Sequence, residues 1–297
     1  MKPHKRDNGW PPIDVAPTSV TEPVYLMIDL IALDLDGTLL DSSGGISARN
    51  RQAIRDALRA GIRIVLVTGR GVTTPIRLSR ELGLNLPIIC CHGALTKDFT
   101  ANRTLGHIPV PLQYAKPIIE YGEQNGLSLT IYVEESFYWL EGDRMLRDDV
   151  VSPSWQSVKT FSDVLHVAPT LIRFFGDHSV DAVVRRFGDW PLNFRHESWE
   201  TFPECAITSN EAGKREALTR LCADFQIPAE RVMAIGDSRN DLPMLRWAGT
   251  GVAMGNAPSE VRDSIRYVTG TNDEDGVAEA MERFALSRTL GGEKKPA

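Results

Sequence analysis

The sequence predicts an α/β fold: a doubly wound, mainly parallel-sheet core interrupted by an inserted α+β cap. Three observations carry this. Apolar, β-branched runs alternate with helical patterns over residues 28–94, the signature of βαβ units. The same alternation returns over residues 208–288. Between them, residues 95–207 hold four of the six tryptophans (Trp139, Trp155, Trp190, Trp199) and short alternating strands mixed with helices, as an antiparallel α+β insert would. A length of 297 residues, at roughly 150 per domain, suits about two such units.

Residues 1–27 contain five of the 18 prolines and little apolar periodicity, so they read as a flexible lead-in. Leu30–Leu35 is an apolar strand interrupted by Asp34. Ser47–Ala60 reads as a helix, with Ser47 as N-cap and Gly61 as its stop. Ile62–Val67 is a second buried strand, Thr73–Leu82 a helix ended by Gly83, and Pro87–Cys91 a third short strand of the same parallel sheet. In the insert, strands are expected at Ser128–Val133, Phe137–Leu140, Leu171–Phe175 and Leu192–His196, with helices at Leu112–Asn125 and Val180–Phe187. The returning core reads as helix Lys214–Asp224, strand Val232–Ile235, helix Asp241–Ala248, strand Thr250–Met254, helix Pro258–Ser264, strand Ile265–Val268 and helix Gly276–Phe284. Residues 289–297 read as a polar tail.

Composition narrows the function. Lys and Arg number 33 against 39 Asp and Glu, a net charge of −6, which argues against a nucleic-acid binder with its basic footprint. No run approaches the roughly 18 apolar residues of a membrane span. No apolar segment follows the basic residues near the N-terminus, so no secretory signal is expected. The four cysteines show no zinc-like or CxxC spacing and read as buried, reduced thiols, consistent with a cytoplasmic protein.

In open α/β sheets, ligands bind beyond the carboxyl ends of the strands. Those ends here carry Asp34-Leu-Asp36-Gly-Thr, Thr68-Gly-Arg70 and Gly236-Asp237-Ser-Arg-Asn240-Asp241, with Lys214 at the exit from the insert. Asp34, Asp36, Asp237 and Asp241 would converge, and four carboxylates in one crevice repel one another. A hard cation such as Mg²⁺ resolves this, because it takes carboxylate oxygens, waters and phosphate oxygens. With Lys214 added, the constellation suits a phosphate group.

These residues resemble the four motifs of the haloacid dehalogenase superfamily. Asp34-Leu-Asp36-Gly-Thr-Leu-Leu is similar to the first motif, Thr68 in Val-Thr-Gly-Arg to the second, Lys214 to the third, and Gly236 to Asp241 to the fourth. Met254-Gly-Asn-Ala and Asp275-Gly-Val-Ala resemble the Cof-type subgroup, whose class IIB cap lies between the second and third motifs. The resemblance implies a Mg²⁺-dependent phosphatase acting on a small phosphate ester such as a sugar phosphate or phosphorylated cofactor. Asp34 would be the nucleophile that forms an aspartyl phosphate, and Asp36 the general acid and base. Mg²⁺ would be held by Asp34, Asp237 and the Asp36 carbonyl, with Asp241 holding its water shell. Thr68, Lys214 and Asn240 would bind phosphate. Arg70, alternatively an ion-pair partner, and His92 are candidates for substrate contact. His92 stands in Cys91-His92-Gly93-Ala94 where the subgroup usually has Asn. Arg173 and the tryptophans of the insert are further candidates to line the pocket. Two alternatives stay open: a phosphomutase or dedicated sugar-pathway phosphatase, and a catalytically idle metabolite-binding or regulatory protein.

Overall fold

A computed structural model describes residues 27–143, 155–199 and 202–287; the predicted polar tail and all but the last residue of the predicted lead-in lie outside them. The first half of the core runs β1 (Leu30–Leu33), α1 (Ala48–Arg59), β2 (Arg63–Leu66), α2 (Thr73–Leu82) and β3 (Ile88–Cys90), followed by β4 (Leu95–Asp98) and β5 (Arg103–His107). The cap comprises α3 (Leu112–Gln124), β6 (Leu129–Val133), β7 (Ser136–Leu140), β8 (Trp155–Val158), β9 (Leu171–Phe175), α4 (Asp177–Phe187), β10 (Leu192–Trp199) and β11 (Phe202–Ser209). The chain then returns through α5 (Lys214–Asp224), β12 (Val232–Gly236), α6 (Leu242–Trp247), β13 (Thr250–Ala253), α7 (Ser259–Arg262), β14 (Tyr267–Val268) and α8 (Gly276–Met281).

Five parallel strands form the central sheet in the order β14-β13-β12-β1-β2. Strand β1 is buried throughout, as its Leu-Ile-Ala-Leu sequence requires of a strand covered on both faces. It lies between β2, reached through α1, and β12, which starts the outward series on the other side. Chain progression therefore reverses at β1 and β12. That is the switch point where a doubly wound sheet opens a crevice above its strand ends.

Local signals set several boundaries. The Ser47 hydroxyl accepts the Asn50 N–H and starts α1. Gly83, at φ 70°, ends α2 in the left-handed conformation that glycine adopts without strain.

The predicted third parallel strand needs correction. Just beyond β2, Val67 makes one parallel bridge to Ile89 of β3, but β3 pairs along its length with β4, antiparallel. Strands β4 and β5 complete a separate three-stranded sheet with it. Residues 95–107 are thus an extension of the β3 sheet, and the cap sheet itself begins at β6.

That cap sheet has six strands in the order β10-β11-β9-β6-β7-β8. Its pairs are antiparallel except β7 with β8. One face carries Ile131, Ile172, Phe174 and Ile207 and packs with Ile118 of α3 and Val183 of α4. The other face turns Tyr132, Phe137, Trp139 and Leu171 into the same apolar cluster as the core. The cap therefore sits on the crevice. Among the described residues, no helix is long and apolar enough to cross a membrane.

Candidate active site

Asp34 follows the last residue of β1. Its N–H still donates to Ile235 O (3.1 Å), so the sheet's own pairing fixes where its side chain emerges. Asp237 follows β12, the neighbouring strand. Lys214 is the first residue of α5, a position the helix dipole disfavours for a cation. Its surroundings explain it. The ammonium is buried and donates to Asp34 Oδ1 (2.6 Å) and Asp241 Oδ1 (2.7 Å). Burial alone would lower the lysine's pKa; the Asp241 and Asp34 carboxylates outweigh it and raise the pKa, keeping the ammonium charged.

Asp241 is engaged through both oxygens. Oδ2 accepts the N–H of Asp237 (3.2 Å) and of Ser238 (2.9 Å), and lies 2.7 Å from Ser238 Oγ. It therefore ties down the turn that presents Asp237. The Asp237 Oδ1 atom accepts the Thr38 hydroxyl (3.1 Å). Gly37, at φ 70°, packs so closely that a Cβ there would stand 2.5 Å from Asp237 Oδ2.

Oxygens of Asp34, Asp237 and Asp241 all lie within 4.8 Å of one another. Three carboxylates face one ammonium. Burial first, and the Asp241 charge second, raise the Asp34 pKa well above the usual carboxylate value; the same two causes push Asp237 up to about 7. Such excess negative charge on hard oxygen donors fits a divalent cation. Asp34 and Asp237 are better placed to hold one than Asp241, whose oxygens already serve other donors.

Asp36 behaves differently. Its side chain is half exposed, and Arg70 Nε donates to both its oxygens (3.0 and 2.8 Å). Arg70 thus has the ion-pair role considered from sequence, while also lining the cleft. Thr68 is fully buried and its hydroxyl accepts the Arg70 N–H (3.1 Å). Asn240 lines the cleft and donates from Nδ2 to Glu197 Oε1 (3.0 Å). His92 is buried beside Gly69 and does not itself line the cleft.

The cleft has a volume of about 430 Å³. Its floor is Asp34, Lys214 and Asp237, and its roof is the inward face of the cap sheet. There Arg173 donates from Nη2 to the core carbonyl of Gly69 (2.8 Å) and sets Nε 3.3 Å from Glu204 Oε1. Burial opposes the Arg173 charge, but the Glu204 carboxylate outweighs it and raises the pKa. Trp155 and Tyr132 also line the roof, whereas Trp139 and Trp190 pack in apolar clusters. The side chain of Trp199 lies outside the described residues. All four cysteines are buried and free, and burial pushes Cys91 and Cys205 up to about 12, which disfavours the nucleophilic thiolate.

Glu197 and Glu204 were not singled out by sequence reasoning. They become neighbours only because β10 and β11 pair with these two residues directly opposite. Like charges in that position are unfavourable. The single warning in the sequence is an acidic residue in the otherwise apolar run of β11.

The comparisons with known proteins agree with this geometry. The family profile of haloacid dehalogenase-like hydrolases matches residues 31–281. The chain is 31% identical over 285 residues to the phosphatase YwpJ of Bacillus subtilis, covering 86% of this chain and 99% of that one. It is 30% identical over 266 residues to the pyridoxal phosphate phosphatase YbhA of Escherichia coli, covering 84% and 96%. A crystal structure of a haloacid dehalogenase-like hydrolase from Bacteroides thetaiotaomicron superposes with a TM-score of 0.74 at 29% identity, covering 86% of this chain and 99% of that one. With a doubly wound core, an inserted cap and an aspartate–lysine cluster at the strand ends, the chain belongs to the haloacid dehalogenase-like hydrolases.

Proposed function

We propose that this protein is a Mg²⁺-dependent phosphatase of a small phosphorylated metabolite, a sugar phosphate or a phosphorylated cofactor, working through an aspartyl phosphate in the cytoplasm. One observation carries the reading: Asp34 stands buried on the cleft floor, oriented through Oδ1 by a charged lysine. Its other oxygen is left to act as the nucleophile.

The chemistry follows from the residues. The free Asp34 oxygen attacks phosphorus as the bond from phosphorus to the leaving oxygen breaks. Asp36, released from Arg70, gives that oxygen its proton. In the second half, Asp36 takes a proton from water, the water oxygen attacks phosphorus, and the bond to Asp34 breaks to release inorganic phosphate. Lys214 offsets charge on the transferring group throughout, where preorganised electrostatics dominate the barrier. Thr68 and Asn240 complete the phosphate contacts. Asp34, Asp237 and the Asp36 carbonyl would hold Mg²⁺, with Asp241 keeping its water shell in place. When bound, the ion supplies positive charge that makes a dianionic ester approachable by a carboxylate.

A phosphomutase needs a cationic cap site for a second phosphate. Among the described residues of the cap, Arg173 is the arginine that lines the cleft, and it is already paired with Glu204 beside Glu197. That acidic roof supports hydrolysis of a monoester. An idle binding protein would not need the buried Asp34–Lys214 pair. The pyridoxal phosphate specificity in the name of the E. coli relative supports a small metabolite as substrate.

The test is hydrolysis of p-nitrophenyl phosphate and of a metabolite-phosphate panel by the wild type and Asp34→Asn, each with Mg²⁺ and with EDTA. Turnover that needs both Asp34 and Mg²⁺ supports the reading. Turnover that survives either loss contradicts it.

A further inference from the structure

His92 is held in an unusual manner. It and Cys91 both adopt left-handed backbone conformations (φ 55° and 51°), which are sparsely populated by residues with side chains. The ring is 1% exposed, and neither nitrogen has a hydrogen-bond partner. A Cβ on Gly69 would run into it. The fold therefore spends backbone strain, and a glycine, to place a polar ring in the interior.

The ring's charged surroundings are specific. Burial, and then Arg195, Arg173 and Lys214, hold its pKa well below the usual histidine value, so it is neutral. A neutral imidazole carries one N–H and one bare nitrogen. Its carboxylate neighbour is Glu197, whose Oε1 lies 3.6 Å from Nδ1. A contact about 0.5 Å shorter falls in the hydrogen-bond range. That same Oε1 already accepts the Asn240 amide at 3.0 Å. Glu197 belongs to the cap strand β10, whereas His92 and Asn240 belong to the core. Among the described residues, its Oε2 has no hydrogen-bond partner, and the residue lines the cleft.

We propose that His92 is a positioning residue: once the 3.6 Å gap closes by about 0.5 Å, its Nδ1–H joins the Asn240 amide in fixing Oε1 of Glu197, leaving Oε2 to accept a hydrogen bond from a hydroxyl or amino group on the leaving part of the phosphate ester. This deepens the phosphatase reading and rests on it for its kinetic consequence. The substrate class becomes hydroxyl- or amine-bearing phosphate esters, recognised by a cap carboxylate that is aligned from the core.

Two measurements on the full chain test it. In ¹⁵N–¹H spectra of histidine-labelled protein, the His92 signals, assigned by their loss in His92→Asn, are expected to show the Nδ1–H tautomer. Glu197→Ala is expected to return the ring to the Nε2–H tautomer that imidazole prefers in water. An Nε2–H ring in the wild type, or no change on Glu197→Ala, overturns the proposal. This arm needs no turnover, so it separates failure of the proposal from failure of the phosphatase reading.

The second arm compares the best hydroxylated ester with p-nitrophenyl phosphate. His92→Phe and Glu197→Ala are each expected to raise KM for the hydroxylated ester about tenfold more than for the nitrophenyl ester, with kcat less affected. The double variant is expected to cost no more than Glu197→Ala alone. His92→Asn keeps an N–H donor and tolerates the left-handed backbone, so it should restore most of the loss. Multiplicative effects in the double variant, or equal effects on both esters, contradict the proposal.

Discussion

The two halves of the cleft are built on opposite terms. On the core side, hydrogen bonds tie the acidic cluster together: Lys214 bridges Asp34 and Asp241, Asp241 ties down the Asp237 turn, and Thr38 holds Asp237, with the buried His92 ring as the unbonded exception. On the cap side, Arg173 Nε is held to Glu204 only as an ion pair at 3.3 Å, and Thr130 Oγ1 and Trp139 Nε1, buried in the same cross-strand row behind the cleft lining, have no hydrogen-bond partner. Glu197 and Glu204 also face each other there across two strands. A satisfied network is rigid and specifies one geometry, whereas unpaired buried groups are costly and mark places where function overrides stability. On the proposed reading, the core half serves one invariant group, the phosphoryl, and the cap half meets the rest of the substrate.

Substitutions should therefore separate the halves, with the largest effects in the core. Asp34→Asn should lower kcat by about 10⁴-fold or more while circular dichroism shows an intact fold. Retained turnover would break the comparison at its root.

Lys214→Met should lower turnover by about 10²–10³-fold. It should also cost about 3–5 kcal/mol in urea unfolding, because buried Asp34 and Asp241 lose their counter-charge. An unchanged unfolding midpoint would mean that the ammonium does not hold the cluster together.

Gly37→Ala introduces a Cβ against the Asp237 carboxylate at a positive φ. Mg²⁺ affinity, read by calorimetry, should fall about 10–100-fold. Unaltered affinity would remove Asp237 from the metal site.

In the cap, Arg173→Met leaves Glu204 buried without its partner, at a cost of about 1–3 kcal/mol. Adding Glu204→Gln should recover part of that stability, and KM should suffer more than kcat. A purely kcat effect would move Arg173 to the core side of the comparison.

The last comparison is a pH slope. In metal-free folded protein, burial and the Asp241 charge push Asp237 up to about 7, against about 4 for an ordinary aspartate. Between those values the native state keeps a proton that the unfolded chain has released. Stability should therefore fall as pH rises from about 4 to about 7, and Mg²⁺ should remove that loss. Denaturant midpoints with EDTA and with Mg²⁺ check this. A metal-free midpoint that rises across the window would contradict it.

Legibility in the sequence divides along the same line. Helices α2 and α5 stand at the bounds predicted for them, because capping glycines and amphipathic spacing are local signals. Asp34, Asp237 and Lys214 were readable as strand-end and helix-start residues, and the structure brings them together. Strands β4 and β5 were not readable, because polar residues break their period and the antiparallel pairing with β3 supplies their order. Strand β8 lies in a polar stretch, and Glu204 interrupts the apolar run of β11. Glu197 and Glu204 meet through a pairing that no local pattern announces. His92 was visible as a departure from the family pattern; its buried, strained placement was not.

The most direct test of the central claim is to trap the reaction on Asp34. Enzyme mixed with Mg²⁺ and its best ester, acid-quenched within one turnover and reduced with borohydride, should yield homoserine at position 34 in the digested peptide. Asp36→Asn, slowed in the step that activates water, should yield more of it. Turnover with no modification at position 34 in either protein would contradict the aspartyl-phosphate account.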